Sequence, residues 1–383
     1  MPSAAVSKAF GPQKIAPPGA DTKRMDRHAF CVIMAGGGGN RFWPVTRESR
    51  PKQFINSIGT SLLRAAYERF VGIVPEENIL IITQERFQDT VRGIVPELPP
   101  DNLLLEPYVR KTGPCLAYAT YSILQRDPDA VLAVTPCDLM IADRGKFRST
   151  LEEAFEYVRE QDVLMFLGVK PLRSDPGYGY IQVQGGRHAV QPGRPAAVKS
   201  FMEKPSEDLA RVFVKSGEFL WNSGIFTCQA DVLRAEMEEY MPQITCQFDG
   251  WQGAIGTAAQ HDFVEHAYSG CDKLSIDYGV MEKTSRAMVW PAEFGWSDID
   301  SWKTLWDSYP EKDGDANLIS GGTATLSGAR KNIIVERNPG KLVALCGLDD
   351  YMVIDTDDVL FICPRDDARY QAFLSGIDRS GRE

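Results

Sequence analysis

Apolar residues in this chain gather into short, uninterrupted runs: "FCVIMA" at 30–35, "NILIIT" at 78–83, "NLLLE" at 102–106, "AVLAVTP" at 130–136 and "VLMFLGV" at 163–169. Runs this short and uniformly apolar predict strands buried on both faces. Between them lie segments with helical spacing of apolar positions, "SLLRAAYERFVGIV" and "TGPCLAYATYSILQ". The alternation predicts right-handed βαβ units around a mostly parallel sheet. Ligands of such sheets bind beyond the carboxyl ends of the strands, so the residues that follow each run carry the most information. A glycine loop follows "FCVIMA", Glu106 closes "NLLLE", and Asp138 follows "AVLAVTPC".

After Trp302 the pattern changes to β-prone runs split by Gly, Asn and Asp turns, from "NLISGGTATLSG" to "DYMVIDTDDVLFIC". That texture predicts a smaller all-β unit, a β-solenoid fragment or small barrel, closed by a helix in "RDDARYQAFLSGI". The first 28 residues have no apolar periodicity and predict a flexible arm. The expected organisation is therefore an arm at 1–28, a catalytic α/β domain at 29–310 and a β-rich unit at 311–383.

Composition narrows the function classes. Acidic residues outnumber basic ones by 52 to 42, a net charge of −10, which argues against nucleic-acid and anionic-membrane partners. No apolar stretch reaches the roughly 18 residues of a membrane span and no signal core is evident, so a cytoplasmic protein is expected. The eight cysteines form no CxxC pair, which predicts mostly buried free thiols.

The loop "AGGGGNR" fits neither the Walker pattern, lacking GK[ST], nor GxGxxG, whose third glycine would fall on Arg41. It is followed closely by Arg41, Arg47, Arg50 and Lys52, a concentration of cations in an otherwise acidic chain, with Pro44 and Pro51 stiffening the segment. Backbone amides plus cations describe a polyphosphate clamp.

The stretch "VIMAGGGGNRFWPVTRESRPKQF" resembles the GGxGTRLWPLSRxxxPKQF signature of the sugar-nucleotide pyrophosphorylases, specifically the mannose-1-phosphate guanylyltransferases. "EPYVRKTGP", "TPCDLMI", "GYGYIQ", "FMEKP", "WNSGIF", "SIDYGVMEK" and "FGWSDIDSW" continue the resemblance in order. It implies a Rossmann-like, mixed but mostly parallel nucleotidyltransferase sheet with a small C-terminal left-handed β-helix-like domain. It also implies synthesis of GDP-mannose and pyrophosphate from GTP and mannose 1-phosphate with one or two Mg²⁺ ions, in a chain compatible with a homodimer.

Residue by residue, the resemblance implies Asp138 and Asp298 as metal ligands, and Arg41 and Lys52 as catalytic cations on the triphosphate. Gly36, Gly37, Gly38, Gly39 and Asn40 would cradle the nucleotide, and Glu106 and Arg110 would meet the purine. Gly179, Glu203, Lys204, Asn222 and Asp277 would hold the sugar phosphate. Taken singly, Asp138 equally suits a turn and Asp298 a helix cap, with Asp300 as its rival. The chain departs from the family pattern at Gly38 and Asn40, which replace Ser and Thr, at Leu139, which replaces His, and at Lys111. A different sugar 1-phosphate such as a heptose, or a non-catalytic regulatory relative, are the alternatives. Because the sequence stops at Glu383, the isomerase domain of longer relatives is expected to be absent, and one activity is expected.

Overall fold

The computed structural model describes residues 25–38, 41–55, 60–309, 311–338 and 340–377. Most of the predicted arm, and Gly39 and Asn40 of the glycine loop, lie outside the described residues. Where the chain enters its first strand it is already tied down: the His28 carbonyl accepts from the Val131 amide at 2.8 Å and Asn78 donates to the Arg27 carbonyl at 2.7 Å.

In chain order the strands of the larger unit are β1 (Ala29–Met34), β2 (Ile79–Gln84), β3 (Leu103–Glu106), β4 (Val131–Pro136), β5 (Leu139–Ile141), β6 (Leu164–Val169), β7 (Gly179–Val183), β8 (Ala196–Glu203), β9 (Phe219–Gln229), β10 (Ala287–Ala292) and β11 (Trp296–Asp298). Nine of them form one sheet in the order β3-β2-β1-β4-β9-β6-β10-β8-β7, with β7 also paired to β9. Alternate residues of β1 feed two cores. Phe30 and Val32 pack toward the helix Thr112–Arg126, and Cys31 and Ile33 toward the helices Leu62–Phe70 and Arg144–Glu160. Burial of both faces explains the unbroken apolar runs.

The sheet is mixed, and parallel pairing is less dominant than the run pattern predicts. It holds for β3-β2-β1-β4 and for β6-β10, whereas β9 runs antiparallel to β4 and β6, and β7 and β8 are antiparallel to their neighbours. β8 buries only Phe201 and leaves Ala197, Lys199, Ser200 and Met202 exposed, as a strand covered on one face does. The chain passes from β1 outward to β2 and β3, then returns to the other side of β1 as β4. That reversal opens a crevice at the carboxyl ends of β1 and β4.

The C-terminal strands β12 (Leu318–Gly321), β14 (Ile333–Glu336) and β16 (Tyr351–Asp355) stack in parallel, with β17 (Leu360–Pro364) antiparallel at the edge; β13 (Thr323–Ser327) and β15 (Leu342–Cys346) form a second parallel pair. These are the coils of a β-helix. A ladder of buried asparagines holds one corner: Asn332 donates to Asn317 Oδ1 at 2.9 Å and accepts from the Tyr351 amide at 2.9 Å. The expected closing helix is Asp367–Gly376. Six of the eight cysteines are buried and all are free thiols; Cys246 and Cys346 are exposed.

The β-helix does not hang free. Leu318, Ile333, Val335, Met352, Ile354, Phe361, Tyr370 and Leu374 share one apolar cluster with Phe42, Trp43 and Val45 from the segment after the glycines, and with Ile299 and Trp302. The glycine-loop signature is thus packed against both units.

Candidate active site

At the end of β1 the glycine loop is held from behind. The Ala35 amide bonds the Ile82 carbonyl at 2.8 Å, while Gln53 Nε2 donates to the carbonyls of Ala35 at 3.0 Å and Gly37 at 2.6 Å, and Gln84 Nε2 donates to the Gly36 carbonyl at 2.5 Å. In a trans peptide the C=O and the next N–H point oppositely. Anchoring these three carbonyls therefore turns the amides of Gly36, Gly37 and Gly38 away from the glutamines, as an anion cradle requires.

Gly36 leaves no space for a side chain: a Cβ there would lie 2.5 Å from Glu106 Oε2. Glu106 is buried at the end of β3 and accepts from the Tyr268 hydroxyl at 3.1 Å. Burial raises its pKa to about 7, with the Tyr268 hydrogen bond pulling the other way. A carboxyl whose folded pKa exceeds its unfolded one favours the native state below the unfolded value, and that contribution is lost as pH climbs through about 4.5 to 7. Glu106→Gln removes the titration. The variant is expected to gain stability relative to wild type by about 2–3 kcal/mol between pH 4.5 and 8 in urea melts; parallel pH profiles for the two proteins would refute it.

The charged centre is assembled from three distant segments. β5 and β11 form a short antiparallel ribbon in register Leu139↔Asp298, closed by the Ile299 amide bonding the Asp138 carbonyl at 3.1 Å. Across this ribbon Asp138 and Asp298 become neighbours. Lys52, from a turn of 3₁₀ helix, contacts Asp138 Oδ2 at 2.7 Å and donates to the Ile299 carbonyl at 3.0 Å. Burial pulls the Lys52 ammonium toward neutrality, but Asp138 and Asp298 outweigh it and hold its pKa above the usual value. Asp298 is pushed up to about 7, by burial and then by the Asp138 charge, with Lys52 partly offsetting. Its Oδ1 is buried without a hydrogen-bond partner. Two adjacent carboxylates, one ammonium and an orphaned carboxylate oxygen suit a divalent cation bound between the acids.

Asp300 has a different task. Its Oδ2 accepts from Arg41 Nη1 at 3.1 Å and its Oδ1 from Thr304 Oγ1 at 3.0 Å, so it tethers the exposed Arg41 guanidinium beside the centre. Arg47 is spent internally, on the carbonyls of Pro44 and Thr46 and on Asp358. Of the cations near the loop, Arg47 is thus committed to its own segment and to Asp358, whereas Lys52 reaches Asp138 and Arg41 reaches Asp300.

Further along the sheet, register Gly179↔Glu203 puts β7 against β8, and a Cβ on Gly179 would meet Glu203 Oε2 at 2.5 Å and Asn222 Cβ at 3.3 Å. Lys204 lies 3.4 Å from Glu203 and adopts φ 48°, a left-handed conformation that non-glycine residues hold only under constraint. Glu203 is raised by burial and by Asp277; Asp277, on a π-helical turn, is raised by burial and lowered by its backbone hydrogen bond and Lys204. Gly179, Glu203, Lys204, Asn222 and Asp277 thus come together.

Arg110 is placed otherwise. Its Nε donates to the Tyr268 carbonyl at 3.1 Å and its Nη2 to the Ser269 carbonyl at 3.4 Å, at the carboxyl end of the helix Gln260–Gly270. Sequence reasoning missed Gln53 and Gln84. Gln84 closes β2, so the strand-end rule that selected Glu106 applies to it equally. A further group with metal-ligand spacing, His28, Asp127 and Asp129, lies where β1 and β4 begin, the opposite end of the strands from Asp138.

A glycine loop at a switch point, two neighbouring carboxylates and a half-buried lysine suit phosphoryl or nucleotidyl transfer. The chain belongs to the nucleotidyl transferase family, whose model matches residues 30–313; a MannoseP isomerase/GMP-like beta-helix domain matches residues 328–370. It is similar to the Xanthan biosynthesis protein XanB of Xanthomonas campestris, 34% identical over 356 residues that span 92% of this chain and 73% of that one. It is likewise similar to Mannose-1-phosphate guanylyltransferase 2 of Escherichia coli O157:H7, 32% identical over 360 residues, 90% of this chain and 72% of the relative. A solved structure described as mannose-1-phosphate geranyltransferase from Thermus thermophilus superposes with a TM-score of 0.78 at 27% identity, covering 91% of this chain and all 100% of that one. Among the described residues no helix is long and apolar enough to cross a membrane.

Proposed function

We propose that this protein makes GDP-mannose and pyrophosphate from GTP and α-D-mannose 1-phosphate. The observation that carries the proposal is the Lys52–Asp138–Asp298 centre, together with the glycine loop at the end of β1 and the Glu203–Lys204–Asp277 group. A phosphate oxygen of the sugar attacks the α-phosphorus of GTP. The bond from that phosphorus to the β-phosphate oxygen breaks, and pyrophosphate leaves with the electron pair. Such a transfer asks the protein for charge neutralisation and in-line alignment rather than covalent help.

Nucleotidyl transferases generally use a divalent metal, and Mg²⁺ held by Asp138 and Asp298 would neutralise phosphate charge in the transition state. Gly36, Gly37 and Gly38 offer amides to the triphosphate, with Arg41 on its outer oxygens and Lys52 on the α-phosphate. Glu106, beneath Gly36, is assigned to the guanine side. Lys204 is assigned to the sugar phosphate, and Glu203, Asn222 and Asp277 to sugar hydroxyls, where Gly179 lets the backbone approach. The same reading divides the chain into a catalytic unit at 29–310 and a β-rich unit at 311–383, and describes a cytoplasmic enzyme of small-molecule substrates.

The test is a matrix of nucleoside triphosphates against sugar 1-phosphates with Mg²⁺, read by pyrophosphate release. GTP with mannose 1-phosphate is expected to give the highest kcat/KM. Absence of release across the whole matrix would remove the enzymatic reading, and a stronger signal from another pair would reassign the substrate.

A further inference from the structure

The segment that carries Arg41 is fastened to the C-terminal unit by specific polar contacts as well as apolar packing. The Tyr370 hydroxyl, on the closing helix Asp367–Gly376, reaches two carbonyls at once, Arg41 at 3.0 Å and Trp43 at 2.8 Å. Tyr370 is itself fully buried, with Phe361 edge-on at 5.9 Å, and Phe361 in turn meets Trp43 at 5.6 Å. A second tie runs from Arg47 Nη2 to both oxygens of Asp358, at 2.9 and 3.2 Å, in the turn before β17. The Arg41 side chain is meanwhile tethered by Asp300. Arg41 is 61% exposed at its side chain, so little else fixes its direction.

We infer that Tyr370 is a positioning residue for nucleotide binding, and that the closing helix and β-helix act as a splint holding the Arg41 backbone where its guanidinium can meet the triphosphate. The inference rests on the assignment of Arg41 to GTP. An unsplinted loop would have to be ordered at the moment of binding, which lowers affinity without altering the chemistry at the α-phosphorus. The signature is therefore expected in KM for GTP far more than in kcat or in KM for mannose 1-phosphate. A merely structural role would instead lower the thermal midpoint and the active fraction together.

The experiment compares wild type, Tyr370→Phe, Arg41→Ala and the double variant in the full-length chain, with Asp358→Asn as a milder variant that takes the charge out of the Arg47 tie. Both KM values, kcat and thermal midpoints are measured. Tyr370→Phe is expected to raise KM for GTP about tenfold, since it strips the one hydroxyl proton that the Arg41 and Trp43 carbonyls share and that orders the binding segment. Asp358→Asn is expected to raise it about two- to threefold. The double variant should bind GTP no worse than Arg41→Ala, because Tyr370 acts through Arg41. A Tyr370→Phe effect that multiplies with that of Arg41→Ala, or that falls on kcat and both KM values alike, overturns the splint. So does an unchanged KM for GTP in Tyr370→Phe while Arg41→Ala raises it. An unchanged KM for GTP in Arg41→Ala itself removes the nucleotide assignment of Arg41, and the inference with it. Should Tyr370→Phe fail to fold, Asp358→Asn alone decides, a KM for GTP within experimental error of wild type counting against the splint.

Discussion

Asp298→Asn is expected to lose about three orders of magnitude in turnover while melting no lower than wild type above neutral pH. The two halves of the prediction share one cause. Asp298 has a buried oxygen with no partner and a neighbouring carboxylate that repels it, so its charge is disfavoured in the free protein and its pKa rises to about 7. Asparagine keeps the shape and discards the charge. The sign follows from linkage: a carboxyl with a raised folded pKa stabilises the native state below its unfolded pKa, and the contribution is lost as pH rises from about 3.8 through 7. Above that window the wild type carries the full penalty and the variant carries none. Mg²⁺ should reverse the order, because a cation between Asp138 and Asp298 favours the ionised pair. Thermal melts at pH 8 with and without Mg²⁺, beside pyrophosphate release, check both halves. Wild-type turnover in the variant, or a Mg²⁺ shift as large as in wild type, would show that Asp298 is not a metal ligand.

Lys52→Met is expected to be damaging in both respects, cutting turnover about a thousandfold and destabilising the fold by about 2–3 kcal/mol. The ammonium lies 2.7 Å from Asp138 and also holds the Ile299 carbonyl that follows Asp298. Methionine fills a similar volume but leaves Asp138 and Asp298 facing each other without a counter-charge, and removing one partner of a partly buried pair exposes the cost of the other. Adding Asp298→Asn to Lys52→Met should recover much of the stability and none of the turnover. That split separates the structural task of the lysine, neutralising the acids in the free protein, from its chemical task at the α-phosphate. Equal recovery of both, or an unchanged melting curve in Lys52→Met, would contradict it.

Much of the site was readable as types of residue at the ends of strands. Glu106, Asp138 and the glycine loop follow that rule, at the carboxyl ends of β3, β4 and β1. Gln84 meets the same rule, but its amide carries no charge to mark it; its work, like that of Gln53, is to hold loop carbonyls. Arg47 and Arg110 have partners that the sequence does not mark. A cation near a glycine loop suggests a phosphate ligand, yet Arg47 donates to Pro44, Thr46 and Asp358; Arg110, which the resemblance gives to the purine, donates to the end of the helix Gln260–Gly270. Nothing local in either stretch announces those partners.

By itself the sequence determined the central strands β1, β2, β3, β4 and β6 with their burial on both faces, and the β texture of the C-terminal unit, because apolar periodicity and turn residues act over a few neighbours. Family motifs added the identity of the chemical groups. Tertiary structure alone decided which of them meet: the β5–β11 ribbon that makes Asp298 rather than Asp300 the neighbour of Asp138, the seat of Lys52 against Asp138, and the docking of Tyr370 on the Arg41 segment. The physical reason is that charge coupling and desolvation depend on distance and dielectric, and both are set by contacts between residues far apart in the chain.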